Sequence, residues 1–188
     1  MLTAILANRP EIKLEKIHVI GFSMGAQVCA RFANSFKPKI IPRVAGLDPA
    51  FPKFFPPFLD GDNILHKDHG AFVDVIHTNI GRYGVLYSDA HYDIYANKAV
   101  NQPGCNEDTS CNHRRAVVIY TESINGKTKF IARKCKHNKP LITVGYCDGD
   151  KPQRLEVGEY CPPPKHKDDE GTYQFDTNDK PPFAKGPI

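Results

Sequence analysis

The stretch KIHVIGFSMGAQVCARFANSF, residues 16–36, limits what this chain can fold into more than any other. An apolar run, IHVI, gives way at once to Gly-Phe-Ser-Met-Gly. Residues spaced for one helical face follow: Ala26, Cys29, Phe32, Ala33 and Phe36. Pro38 ends that helix. A strand that turns directly into a helix, with glycine on both sides of a serine, is the pattern of a nucleophile elbow. Such a turn forces the serine into an unfavourable backbone conformation, so Gly21 and Gly25 are expected to relieve crowding around Ser23. Ala26 would let the helix approach, and the helix N-terminus would aim its N–H groups at a reacting carbonyl. The competing reading, a serine in an ordinary glycine turn, does not account for the strand before it and the helix after it.

The rest of the chain continues the alternation. RVAGL is a second strand, stopped by Asp48 and Pro49, and AFVDVIHT is a third. Strand, helix and strand in turn predict an α/β fold with a mostly parallel sheet flanked by helices. MLTAILANRPEIKLEK reads as an amphipathic helix, with Met1, Leu2, Ile5 and Leu6 on one face and Pro10 closing it. KIHVI reads as a short buried strand, PAFPKFFPPF as irregular, and residues 79–113 as loop-rich. RRAVVIYTESI reads as a helix. KTKFIARKC and KPLITVGYC alternate as two strands of a C-terminal hairpin joined by KHN. Residues 1–188 form one domain, with 164–188 expected as an extended tail rich in Pro, Lys and Asp.

The acid and base that a serine nucleophile needs have several candidates. In α/β hydrolases the order along the chain is Ser, acid, His. Asp48 follows a strand where Asp-Pro terminates it, which is where a site forms in such sheets. Asp74 lies inside a strand and reads as a buried, hydrogen-bonded residue. Of eight histidines, His18 precedes the serine, His66 and His69 read as loop residues, His77 closes a strand and His91 follows a turn. His113 lies in a loop two residues after Cys111 and leads His77 and His91 only modestly as the base.

Six cysteines, five of them after residue 100 among Pro, Gly and Asn, point to disulfides and an oxidising compartment. None forms a Cys-x-x-Cys pair, so a zinc ribbon is not indicated, and no metal or cofactor is implied. Cys105 and Cys111 can close a small loop. Yet the N-terminus has no basic n-region and an apolar run of only about six residues, so it is not a signal peptide. No stretch approaches the roughly 20 apolar residues of a transmembrane helix. The net charge of +4 reads as a solvated surface with at most a mild pull toward an anionic lipid surface. Nothing suggests nucleic-acid binding, and a monomer is expected.

The chain resembles the pancreatic lipase family of α/β hydrolases, and most of all its insect branch of neutral lipases and phospholipases A1. The matching stretches, in order, are VIGFSMGAQ, AGLDPAFP, FVDVIHTN, QPGC, CNHRRA and YTESI, followed by FIARKC, GYC and TNDKPPFAKG. The resemblance implies the C-terminal portion of that fold. It makes Ser23 the nucleophile, Asp48 the acid and His113 the base, with His77 structural. It gives the Met24 N–H to an oxyanion hole and makes the Cys105–Cys111 loop a lid. It also pairs Cys135 with Cys147. That leaves Cys29 as an inert buried thiol and Cys161 free or paired elsewhere. The implied activity is hydrolysis of carboxylic esters of lipids in a secreted protein.

Three departures qualify this. The lid, CNEDTSC, is short, acidic and polar, and the covering segment from Asn79 to Asp93 is short too, which favours phospholipase A1 over a triglyceride lipase. AHYDIYANKA carries Ala90, Lys98 and Ala99 where the family has glycines, at a cost of about 1 kcal/mol each where φ is positive. Only 22 residues precede Ser23, too few for the family's early strands, second oxyanion donor and signal peptide. A partial chain is therefore expected, one that folds poorly and has little or no esterase activity alone, with KIHVI at a sheet edge. The alternative function is a non-catalytic lipid-binding protein, like the yolk proteins built on the same fold.

Overall fold

The computed structural model describes residues 2–51, 64–86, 88–136 and 153–186. In chain order the principal elements are α1 (Leu2–Asn8), β1 (His18–Phe22), α2 (Met24–Asn34), β2 (Arg43–Leu47), β3 (Phe72–His77), β4 (Tyr92–Ala96), α3 (Thr109–Asn125), β5 (Ile131–Lys134), β6 (Arg154–Glu156) and β7 (Gly171–Phe175). The seven strands form one sheet in the order β1-β2-β3-β4-β7-β5-β6. The first five run parallel, while β5 pairs antiparallel with both β7 and β6.

Parallel strands covered on both faces must be apolar nearly throughout, and every residue of β3 and β4 is buried. Side chains alternate between two cores. Val44, Val73 and Val75 face the small residues of α2, among them Ala26, Ala30 and Ala33. Ala45, Leu47, Phe72 and Ile76 face the other way, with Ala116, Ile119 and Tyr120 of α3. Cys29 and Cys161 are free and buried in these cores. Burial pushes the Cys29 thiol up to about 11 and raises that of Cys161 further, so both are unreactive at neutral pH.

Several expectations need correcting. The stretch 164–188 is not a tail throughout: it holds β7, which lies between β4 and β5 with Tyr173 and Phe175 each 2% exposed. The Pro, Lys and Asp around GTYQF conceal a strand that tertiary pairing alone selects. Residues 79–113 contain β4, disguised by Asp93, whose carboxylate is satisfied by Ser88 N–H at 3.1 Å and Ala90 N–H at 3.2 Å. Helix α3 begins at Thr109, because Asp108 caps it by accepting from Ser110 and Cys111 N–H. His113 is therefore helical, not in a loop. Among the described residues β1 is an edge strand, the place expected for KIHVI, but it is not the buried strand its apolar run suggests: Ile20 is 44% exposed, and α1 leaves Ile5 on the surface. Lys98 and Ala99 do adopt positive φ, at 64° and 55°, whereas Ala90 does not. The KPLITVGYC strand lies outside the described residues.

At the pole where the parallel strands begin, a polar cluster ties the sheet to residues 158–159. The Arg43 guanidinium donates to both oxygens of Asp74, at 2.9 and 3.0 Å, and to Gly158 O at 2.7 Å. His18 lies beside it, its Nδ1 3.7 Å from Glu159 Oε2. Burial first, then the Arg43 charge, pushes His18 down to about 4, against a partial upward pull from Glu159.

Two outcomes are expected. Phe175→Ala should cost about 3–5 kcal/mol in urea unfolding, as for other buried aromatics; a true tail residue would cost almost nothing. Unfolded, His18 takes up a proton near pH 6.5; folded, it resists until about pH 4. The unfolded chain thus binds more protons within that window. The full contribution is present above pH 6.5, and about 2–3 kcal/mol is lost as pH falls toward 4. His18→Gln should flatten this slope in urea midpoints measured at pH 7 and pH 4.5.

Candidate active site

Ser23 leaves β1 with φ 54° and ψ −122°, a conformation few side chains tolerate. Its N–H donates to Leu47 O at 2.9 Å, and its carbonyl accepts from Ala26 N–H and Ala50 N–H, each at 3.1 Å. Gly21 makes the turn possible, since a Cβ there would lie 2.3 Å from Gly25 O. The first turn of α2 can therefore rest on the β1 backbone. The expectation for Gly25 is corrected: a Cβ there meets nothing within 4 Å beyond its own helix, because it points into open space.

The next strand delivers Asp48. It is fully buried, with φ at 42°. Its own N–H is held by Ile76 O at 2.8 Å. Its Oδ1 accepts from Thr78 N–H at 2.9 Å and Asn79 N–H at 3.1 Å, just past the end of β3. The other oxygen, Oδ2, lies 2.6 Å from His113 Nδ1. A carboxylate only accepts, so Nδ1 carries the proton. That leaves Nε2 to accept from Ser23 Oγ, 2.8 Å away. His113 is only 7% exposed. The structure thus brings Ser23, Asp48 and His113 into one hydrogen-bonded line.

Residues that sequence reasoning did not single out hold this line in place. Thr78 Oγ1 donates to the His113 carbonyl at 3.2 Å, so one residue touches both the acid and the base. Gln102 is buried and donates to Thr78 O and Ala96 O at 2.9 Å, while its N–H reaches Asn112 Oδ1. Gln102 and Asn112 lie in the QPGC and CNHRRA stretches, but no periodicity marks them out. The Cys105–Cys111 disulfide, Cα–Cα 5.4 Å, pins the loop before α3. Arg115 donates to Pro103 O at 2.8 Å and stacks on Phe183 at 4.1 Å. Cys135 is buried, and its expected partner Cys147 lies outside the described residues.

The competing candidates sit elsewhere. Asp74 is engaged by Arg43 at the opposite pole, near His18. His77 donates from Nε2 to Asp93 at 2.7 Å and stacks on Tyr95. His91 Nδ1 accepts from Val73 N–H at 3.0 Å, and burial lowers its pKa. His66 and His69 pack ring on ring at 4.0 Å. Among the described residues no cluster could hold a metal ion.

A family model described as Lipase matches residues 1–183. The chain belongs to the lipase family. Among its relatives, Lipase member H-A of Xenopus laevis is 33% identical over 92% of this chain and 40% of that protein. Lipoprotein lipase of Neovison vison is 31% identical over 76% of this chain and 34% of its own length. Pancreatic lipase-related protein 2 of Cavia porcellus is 31% identical over 71% of this chain and 32% of its own. These relatives place the chain in the pancreatic lipase family, and the sheet is that of a partial α/β-hydrolase fold. The lipase-family chain spans about two fifths or less of their length. Among its described residues no helix is long and apolar enough to cross a membrane.

Gly84 gives the sharpest test of this geometry. A Cβ there would stand 2.4 Å from Asp48 Oδ1 and 2.8 Å from Oδ2. Gly84→Ala must therefore displace the carboxylate. The expected result is loss of the low-field His113 Nδ1–H proton signal and at least about a tenfold drop in Ser23 reactivity toward a fluorophosphonate. The urea midpoint should move by no more than about 2 kcal/mol in stability.

Proposed function

We propose that this chain carries the catalytic residues of a carboxylic ester hydrolase acting on lipids. Ser23 Oγ attacks the ester carbonyl while His113 Nε2 takes its proton. Asp48 holds the imidazole in the tautomer that can accept, and offsets the charge that forms on it. His113 then returns the proton to the leaving alcohol, and water releases the acyl group by the reverse sequence. The Met24 N–H, at the start of α2, is one donor to the oxyanion. The observation that carries this reading is the 2.8 and 2.6 Å pair of contacts through His113.

An apolar groove supports a lipid substrate. It measures about 550 Å³ and is lined by Phe22, Val117, Val118 and Phe183, with Cys111 and Arg114 at its side. Phe22 precedes the nucleophile, and Cys111 and Arg114 flank the base. The loop closed by Cys105 and Cys111 has only five residues inside it, all small, polar or acidic. It covers little of an acyl chain, which favours phospholipase A1 activity over triglyceride hydrolysis. The disulfide favours a secreted protein.

A fluorophosphonate probe should label the chain and fail to label Ser23→Ala. Phosphatidylcholine should lose its sn-1 acyl chain faster than triolein loses any. Absence of labelling in the unaltered chain would overturn the hydrolase reading and favour a lipid-binding protein.

A further inference from the structure

His113 has contacts beyond the hydrogen-bonded line. The Phe22 ring lies 4.6 Å from the imidazole centroid, tilted by 42°. The Tyr83 ring meets it edge-on at 5.4 Å and 81°. Phe22 ends β1 and Tyr83 follows β3, so the two rings come from either side of β2, whose end carries Asp48.

Tyr83 is placed with care. Its N–H donates to Asn79 Oδ1 at 3.2 Å, and its carbonyl accepts from Phe51 N–H at 2.7 Å. Asn79 is the residue whose own N–H holds Asp48. The turn that fixes the acid therefore also aims an aromatic ring at the base. Tyr83 is 46% exposed, so core packing does not account for its position.

We propose that Phe22 and Tyr83 are positioning residues that bracket the His113 imidazole and keep it in line while Ser23 is acylated. This rests on the hydrolase reading above. In the resting site two hydrogen bonds fix the ring, one to Asp48 and one to Ser23. Once Ser23 Oγ is esterified it no longer donates, and the bond to Asp48 alone acts as a hinge. A ring free to swing about that hinge would miss the leaving alcohol and the incoming water. Aromatic walls on both flanks restrict that swing through edge and face contacts.

The experiment uses the whole chain with 13C-labelled histidine, the His113 signal being identified by its loss in His113→Gln. The spectra are taken in a Ser23→Ala background, which leaves the imidazole its Asp48 bond alone as in the acylated state. There the chain with both aromatic rings and Tyr83→Phe should each give one sharp imidazole signal, because the phenyl ring suffices. Tyr83→Leu should broaden or split it, and Phe22→Leu should do the same from the other flank. On p-nitrophenyl butyrate, with Ser23 intact, kcat should fall about three- to tenfold in each Leu variant, with KM within about twofold. Melting curves establish that each variant folds. A sharp signal in both Leu variants overturns the proposal, as does a Tyr83→Phe variant as impaired as Tyr83→Leu. If the unaltered chain neither turns over ester nor takes a fluorophosphonate, the hydrolase reading fails, and the imidazole signals still decide the bracket.

Discussion

The Asp48 carboxylate has no exposed surface, and the site is organised around satisfying it. A buried charge without partners is too costly to keep. Here Thr78 and Asn79 each present a backbone N–H to one oxygen, and His113 presents Nδ1–H to the other. Those partners come from two places, the turn after β3 and the start of α3, and meet on a carboxylate carried just past the end of β2. Satisfying one carboxylate therefore brings together parts of the chain 65 residues apart. The left-handed φ of Asp48 itself, 42°, is tolerated because these bonds repay it.

The parallel sheet explains why this happens at one pole. Ser23, Asp48 and Thr78 follow three consecutive neighbours in the sheet, β1, β2 and β3, so all emerge at the same carboxyl edge. The opposite edge carries Arg43, Asp74 and His18, a cluster of equal polarity but different character. There both carboxylate oxygens accept from one guanidinium, which also donates to a backbone carbonyl, so the carboxylate orients an arginine rather than an imidazole. The same residue types thus serve as a structural clamp at one end of the sheet and as an orienting pair at the other. Partner geometry makes the difference.

This contrast marks how far the sequence could be read. Ser23 was legible because strand, glycine turn and helix all announce an elbow locally, and Asp48 because Asp-Pro stops a strand. His113 was not separable from His77 and His91 by local pattern alone. His77 ends a strand, His91 follows a turn and His113 sits near the start of a helix, and their partners, Asp93, the Val73 N–H and Asp48, are set by the fold rather than by neighbours in sequence. The resemblance to a known family ranked them. β7 was hidden because GTYQF is brief and flanked by charge; only pairing with β4 and β5 makes it a strand. Thr78, Gln102 and Gly84 were silent for a similar reason. Their work is done by a hydroxyl, an amide and a missing methyl at points of three-dimensional contact, which leave no period in the sequence.

The position of the nucleophile on β1 has a consequence for rigidity. β1 is one of the two edge strands among the described residues, and Ile20 on it is 44% exposed. An edge strand is held by one ladder only. Ser23 nonetheless keeps a strained backbone, which needs over-determination by its surroundings. The bonds that supply it all lie inward: Ser23 N–H to Leu47 O, and Ser23 O from Ala50 and Ala26 N–H. Gln27 adds a further tie, donating to Ala50 O at 3.1 Å and accepting from Leu65 N–H at 2.9 Å. The nucleophile is thus fastened to β2 and the segment after it, not to the outer side of its own strand. Since Asp48 lies in that same segment, serine and acid share one support.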